Sequence, residues 1–121
     1  MAKTILVVDD EKEVLEEIQV WLGEQGYHVM IAENAEDGLR QLEENPAHLL
    51  LLDINMPNKD GLEMLGDLKR NSKTSSIPVI MLTARVETNA ILEAMEMKAC
   101  DYVSKPFNEN ELLRLIRRYE S

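Results

Sequence analysis

Polar side chains stand where the apolar, strand-like runs of this sequence end. Asp9 and Asp10 follow the first run, and Asp53 follows four consecutive leucines. Thr83 closes a fourth run and Lys105 a fifth. The carboxyl ends of parallel strands meet at one edge of a sheet, which is where ligands bind in open α/β folds. We therefore expect these five side chains to converge on one edge.

Such a set of side chains favours metal-assisted phosphoryl chemistry. Three neighbouring carboxylates repel one another by about 1 to 4 kcal/mol per pair near 4 Å, so a cation would stabilise them. Oxygen ligands without nearby histidine or cysteine favour Mg2+ first and Ca2+ second. A lysine and a hydroxyl beside the cation can neutralise phosphoryl oxygens. An aspartate can then serve as the covalent acceptor.

The elements that must position these residues alternate along the chain. The predicted strands are Thr4–Val8, Tyr27–Ile31, the leucine run from Leu49, Ile77–Leu82, and a last strand around Tyr102-Val103. The leucine run has no polar face, which is typical of a central strand covered by helices on both sides. Five strand–helix pairs demand a parallel sheet with right-handed crossovers. The expected fold is an α/β, doubly wound (βα)5 three-layer sandwich.

Each predicted helix has apolar residues at helical spacing, and three have clear start signals. Asn34 is a candidate cap, and Asp60 with Glu63 and Asn108 with Glu111 have the spacing of reciprocal caps. Asp10 has a second interpretation as the cap of the first helix, with Glu13 at the reciprocal position. This structural role and a role in metal binding are compatible.

Composition limits the class of protein further. A chain of 121 residues is expected to form one domain, residues 1–121. Its 13 basic and 23 acidic residues give a net charge of −10, which disfavours direct binding to nucleic acid. No long apolar span or signal-like start occurs, so we expect no membrane segment. The single cysteine, Cys100, favours a cytoplasmic location.

Four motifs, taken together, closely resemble the receiver domains of two-component response regulators. They are Val7–Glu11, Asp53–Gly61, Thr83-Ala84, and Asp101-Tyr102 followed by Lys105-Pro106-Phe107. They stand in the order and spacing of that family, and the resemblance covers essentially the whole chain. It implies a flavodoxin-like fold, of the chemotaxis-receiver superfamily, with strand order 2-1-3-4-5.

The resemblance also implies a role for each acidic residue. Asp53 would accept a phosphoryl group from a phosphohistidine on a sensor kinase or phosphotransfer protein. Asp10 and Asp53 would bind Mg2+ directly, the main-chain carbonyl of Asn55 would be a third ligand, and Asp9 would act through water. The implied function is that of a phosphoprotein switch, which regulates a downstream protein or output domain. The resemblance does not imply an enzyme that turns over a substrate.

By the same resemblance, three other residues respond to the phosphoryl group. Lys105 would bind one of its oxygens, and Thr83 would donate its hydroxyl and move a loop. Tyr102 would be the aromatic side chain that follows Thr83 inward. The bond between Lys105 and Pro106 would be cis, which is uncommon for an X–Pro bond chosen at random.

The sequence departs from the family pattern near the end of the fourth helix. Lys98-Ala99 stands where receivers usually have Gly-Ala. A glycine there commonly ends a helix with positive φ, so Lys98 must either accept strain or adopt another ending. Arg85 and Asn55 flank the expected phosphate site, at places where relatives modulate phosphate lifetime.

Other functions remain open on the residues alone. An aspartate-nucleophile phosphatase of the haloacid dehalogenase kind would need an acidic residue where Asn55 stands. A nucleotide- or flavin-binding module would need a phosphate-cradling loop in place of Asp9-Asp10-Glu11. A receiver that no longer accepts phosphate is disfavoured because every reactive position is filled. A free-standing receiver and one excised from a longer protein fit the sequence about equally well.

Overall fold

A computed structural model describes residues 2–56, 60–83 and 88–120, with the side chain of Thr88 excepted. Three features that the sequence singles out lie outside the described residues. They are Ala84 of the third motif, Arg85, and the Pro57-Asn58-Lys59 portion of the second motif.

Five parallel strands form one sheet in the order β2-β1-β3-β4-β5, which confirms the expected fold class and strand order. The strands are β1 (Thr4–Val8), β2 (His28–Ala32), β3 (Leu49–Asp53), β4 (Val79–Thr83) and β5 (Asp101–Ser104). The predicted limits of β1 are confirmed, whereas β2 and β4 begin one and two residues later than predicted. In β4 the delay follows from Pro78, which has no N–H to give to a neighbouring strand.

Five helices alternate with the strands. They are α1 (Lys12–Glu24), α2 (Ala35–Glu44), α3 (Gly61–Arg70), α4 (Thr88–Glu96) and α5 (Glu109–Tyr119). Side chains of α2, α3 and α4 pack on one face of the sheet, and those of α1 and α5 on the other. The helices therefore cover both faces, as a doubly wound sheet requires.

The central strand explains why the sheet forms as it does. All four leucines of β3 are completely buried. Leu50 and Leu52 belong to the hydrophobic cluster on one face, and Leu49 and Leu51 to the cluster on the other. Because successive side chains of a strand point to opposite faces, an unbroken apolar run is the pattern that such a position demands.

Start signals of three helices are confirmed by side-chain hydrogen bonds. The Asn34 side chain accepts from the Asp37 N–H, and Asn108 accepts from the Glu111 N–H. Asp60 and Glu63 form a complete capping box.

The interpretation of Asp10 as the cap of α1 is wrong. The N-cap is Glu11, whose side chain makes no capping hydrogen bond. Since the helix begins one residue later than a cap at Asp10 requires, the Asp10 carboxylate is not used by the helix. Asp10 is therefore not the cap of α1, and its role in binding a metal ion stays a prediction.

Two aromatic rings join α1 to the segment after β5. The centroids of the Trp21 and Phe107 rings are 6.0 Å apart, and the rings are tilted by 31°. Phe107 lies two residues after Lys105, so this contact packs the loop that carries the lysine against the first helix.

Lys98 takes the strained ending of α4. Its φ is 75°, and it is the non-glycine residue with positive φ among the described residues. Its N–H still donates to the Met95 carbonyl, and the Ala99 N–H donates to that of Ala94. The usual helix ending is therefore kept with a side chain in place of glycine, at a cost of about 1 to 2 kcal/mol.

We expect Lys98→Gly to stabilise the protein. Relief of the left-handed conformation outweighs the greater entropy of a glycine in the unfolded chain, so the free energy of unfolding should rise by about 0.5 to 1 kcal/mol. Urea unfolding measures it. Lys73→Gly, at an exposed position without positive φ, is the control and should destabilise. Equal losses in both variants would contradict the strain at Lys98.

Candidate functional site

Three carboxylates meet at the carboxyl edge of the sheet. One oxygen from each of Asp9, Asp10 and Asp53 lies within 4.8 Å of the other two. The convergence follows from the pairing of β1 with β3. Val8 is opposite Leu52, and the residue that follows each of them, Asp9 and Asp53, is an aspartate. Asp9 is fully buried and Asp53 is 3% exposed, whereas Asp10 faces solvent.

Lys105 reaches this cluster from the end of β5. Its Nζ lies 2.5 Å from Asp9 Oδ2, 3.4 Å from Glu11 Oε1 and 3.5 Å from Asp53 Oδ2. Its main-chain N–H donates to the Thr83 carbonyl at 2.6 Å, which fixes the lysine beside the end of β4. The bond to Pro106 is cis, as the resemblance implies.

The main chain after Asp53 holds the second oxygen of its carboxylate and ties the end of β3 to β4. The Asn55 N–H donates to Asp53 Oδ1 at 3.3 Å, and the Ile54 N–H donates to the Leu82 carbonyl. Ligation by the Asn55 carbonyl stays a prediction. Asp53 therefore has one oxygen facing Lys105 and the other held by the turn that follows β3.

Gly61 has a structural role that the sequence did not reveal. A Cβ on this residue would lie 2.0 Å from the main-chain carbonyl oxygen of Asp53. The Gly61 N–H also donates to the Ile54 carbonyl at 2.9 Å. The first turn of α3 thus lies directly against the backbone of the central aspartate. The only signal in the sequence is a glycine, a poor helix former, just after a capping residue.

Thr83 and Tyr102 occupy different environments. Thr83 is fully buried at the end of β4, one residue beyond Leu82, which pairs with Asp53. The structure thus brings Thr83 to the same edge as the carboxylates. Tyr102 lies on β5 with 39% of its surface exposed. Their roles in switching stay predictions.

The electrostatics of the cluster depend mainly on burial. Burial, and then the charge of Asp9, raise the pKa of Asp53 to about 7, against the opposing charge of Lys105. Burial also raises the pKa of Asp9, although the hydrogen bond from Lys105 acts in the other direction. For Lys105, burial alone would lower the pKa, but the hydrogen bond with Asp9 and the charge of Asp53 outweigh it and raise the pKa.

The donor set fits a hard divalent cation. The three clustered ligands are all carboxylates, with no histidine or cysteine in the group. One lysine cannot balance Asp9, Asp53 and Asp10 together, so negative charge remains in a largely buried place. Mg2+ is bound by such oxygens and retains several waters, which an exposed carboxylate such as Asp10 permits.

Together, the fold and this edge define a class of protein. A doubly wound parallel sheet presents a carboxylate at the end of its central strand, beside an acidic pair and a lysine. This is the architecture of domains that receive a phosphoryl group on an aspartate rather than of domains that cradle a nucleotide in a glycine-rich turn.

Comparison with known proteins identifies the family. Residues 5–117 match the response regulator receiver domain, and the chain therefore belongs to the receiver domains of two-component response regulators. The class has a phosphoacceptor role in signalling. Nothing in these comparisons supports the alternative of a haloacid dehalogenase-type phosphatase.

Curated relatives include longer regulators. The chain is 39% identical over 117 residues to the phosphate regulon transcriptional regulatory protein PhoB of Escherichia coli K12, covering 97% of this chain and 51% of that protein. It is 38% identical to response regulator RR06 of Streptococcus pneumoniae D39, covering 95% and 54%. The chain thus spans about half the length of the curated relatives it matches.

Solved structures agree on the fold along the whole length. A CheY-like receiver domain protein from Methanospirillum hungatei superposes with a TM-score of 0.93 at 30% identity, covering 99% of this chain and 94% of that one. The chemotaxis protein CheY4 of Vibrio cholerae gives a TM-score of 0.93 at 25% identity, with 98% and 99% covered.

Among the residues that the structure describes, no helix has the length and apolar character needed to cross a membrane.

We expect Gly61→Ala to disturb the site through the backbone of Asp53. The added methyl group would overlap the Asp53 carbonyl, so α3 or the central strand must move, at a cost of about 2 to 3 kcal/mol. Urea unfolding measures the loss. Gly23→Ala is the control, because its Cβ would meet nothing within 4 Å and alanine favours the helix. A neutral Gly61→Ala would contradict the close approach.

We expect Asp53→Asn to stabilise the metal-free protein. Neutralising this carboxylate removes its burial cost and its repulsion from Asp9, and should raise the free energy of unfolding by about 1 to 3 kcal/mol at neutral pH. Thermal unfolding with and without Mg2+ provides the measurement. Mg2+ should stabilise wild type more than Asp53→Asn. Glu44→Gln, an exposed acidic position on α2, should leave both values unchanged; an equal Mg2+ effect in wild type and Asp53→Asn would exclude Asp53 as a ligand.

Proposed function

We propose that Asp53 is the phosphoacceptor of this receiver domain. The observation that carries the proposal is the position of its carboxylate, which is buried at the end of the central strand. There it lies within reach of the Asp9 and Asp10 oxygens and 3.5 Å from Lys105 Nζ. An anion placed among other anions gains nothing structurally, whereas a nucleophile beside a cation site and a lysine suits phosphoryl transfer.

Phosphoryl transfer to Asp53 forms one bond to phosphorus while another bond to phosphorus breaks. An Asp53 oxygen attacks phosphorus as the bond between phosphorus and the donor's imidazole nitrogen breaks, and the histidine takes up a proton from solvent. Lys105 neutralises one phosphoryl oxygen, and it needs to shift only slightly because it already lies between Asp9 and Asp53. Burial of Asp53 keeps water from competing for these charges.

Asp10 and Asp53 would hold Mg2+ directly, with the Asn55 carbonyl, while Asp9 acts through water. When bound, Mg2+ supplies the positive charge that allows a carboxylate and a phosphoryl group to approach each other. Without it, the raised pKa of Asp53 leaves part of the population protonated near neutral pH and unable to attack.

Phosphorylation would change the surface by a shift in population. Thr83, buried at the same edge, would donate its hydroxyl to the phosphoryl group and draw the following loop inward. Tyr102, half exposed on β5, would follow it. Reversing a 99:1 preference requires about 5.5 kcal/mol, and charge-assisted bonds to Thr83 and Lys105, worth about 1.5 to 3 kcal/mol each, supply much of it.

The partners follow from this role. A sensor histidine kinase or phosphotransfer protein would donate the phosphoryl group in the cytoplasm, and an output domain or separate protein would read the changed surface. The domain acts as a switch and catalyses at most its own phosphorylation and dephosphorylation. Its net charge of −10 makes direct binding to nucleic acid unfavourable. The chain, as one receiver domain, would therefore act on an output domain or a separate protein.

Labelling with a small phosphodonor tests the acceptor. Wild type incubated with Mg2+ and acetyl phosphate should gain the mass of one phosphoryl group, measured on the intact protein, and Asp53→Ala should gain none. Asp37→Asn, an acidic residue on α2 away from the site, should label like wild type. Labelling that persists in Asp53→Ala would show that another residue accepts the phosphoryl group.

A further inference from the structure

Glu11 contacts the lysine of the site although neither the motif nor the family roles assign it a function. Its Oε1 lies 3.4 Å from Lys105 Nζ, and its side chain is 60% exposed. The Glu11 main-chain N–H donates to Asp9 Oδ1 at 2.9 Å. The residue therefore has a fixed backbone and a side chain that is free to leave the lysine.

The ammonium group of Lys105 is shared among three carboxylates. The hydrogen bond to Asp9 at 2.5 Å is much shorter than the contacts with Glu11 and Asp53, at 3.4 and 3.5 Å. A phosphoryl group arriving at Asp53 needs a hydrogen from this ammonium. Glu11 competes for that hydrogen, because its carboxylate attracts the same ammonium group.

Glu11 also places negative charge in a cavity beside the lysine of the site. It lines a cavity of about 380 Å³ beside Lys105, together with Glu17, Val14 and Phe107. An anionic donor that enters this cavity meets two glutamates as well as the lysine. Only one of them contacts the lysine, since Glu17 makes no ion pair with Lys105 among the described residues.

We propose that Glu11 is a positioning residue that restrains Lys105 and slows phosphoryl transfer to Asp53. The proposal rests on the proposed function of Asp53. Glu11 touches no reacting atom and acts through the lysine alone. Without its carboxylate, the ammonium group turns toward the acceptor, and the incoming phosphoryl oxygen has one competitor fewer.

Glu11→Gln isolates this effect because it changes charge but little else. The side chain makes no capping hydrogen bond to α1, and the main-chain bond to Asp9 does not depend on it. Glu17→Gln is the matched control, since it removes the same charge from the same cavity. Glu11→Asp keeps the charge on a shorter side chain and should restore part of the restraint.

The experiment measures the rate of Asp53 labelling by acetyl phosphate with Mg2+ at 0.15 M salt, where charges beyond about 8 Å are largely screened. Glu11→Gln should label about two- to fivefold faster than wild type, the range expected for loss of one exposed ion pair. Glu17→Gln should match wild type, and Glu11→Asp should lie between wild type and Glu11→Gln.

An equilibrium measurement distinguishes an effect on the position of Lys105 from an effect on the rate of phosphoryl transfer alone. The unreactive phosphoryl analogue BeF3−, added with Mg2+, should bind Glu11→Gln more tightly by a similar factor. Unchanged binding and rate in Glu11→Gln, or equal acceleration in Glu17→Gln, would overturn the proposal. Wild type that labels nowhere, or labels in Asp53→Ala, would instead refute the acceptor role of Asp53.

Discussion

The structure depends on keeping like charges together at a buried edge. Asp9 and Asp53 are almost entirely out of water, and Asp10 stands beside them. Each pair of carboxylates opposes folding by about 1 to 4 kcal/mol, while each buried leucine of the central strand contributes about 1.5 to 3 kcal/mol. The apolar run before Asp53 therefore has the magnitude needed to hold the aspartate in an unfavourable place.

That unfavourable charge is what makes the edge responsive. Lys105 compensates only part of it, so a cation or a new hydrogen-bonded group changes the balance of forces there. The surrounding scaffold stays fixed because main-chain hydrogen bonds, from Ile54 to Leu82 and from Lys105 to Thr83, tie neighbouring strand ends together. The side chains at this edge can thus move while the strands that carry them remain in register.

The sequence predicts the elements well where a pattern has one physical meaning. Four leucines ending in Asp53 require a central strand, and alternation with helices requires a parallel sheet. Local reasoning fails where distant residues decide the result. Because α1 starts at Lys12, its N-cap is Glu11 and not Asp10. The contact of Glu11 with Lys105 joins residues that are 94 positions apart. The close approach of Gly61 to Asp53 depends on the position of α3 relative to β3. Lys98 keeps positive φ because packing on either side outweighs its own preference.

The ring contact between Trp21 and Phe107 gives this protein an internal optical reporter. Trp21 is the single tryptophan of the chain, so its emission comes from one place. The phenylalanine beside it, with centroids 6.0 Å apart, belongs to the same loop as Lys105. A rearrangement of that loop that moves Phe107 would change the surroundings of the indole, so that fluorescence could follow it in unmodified protein without a label.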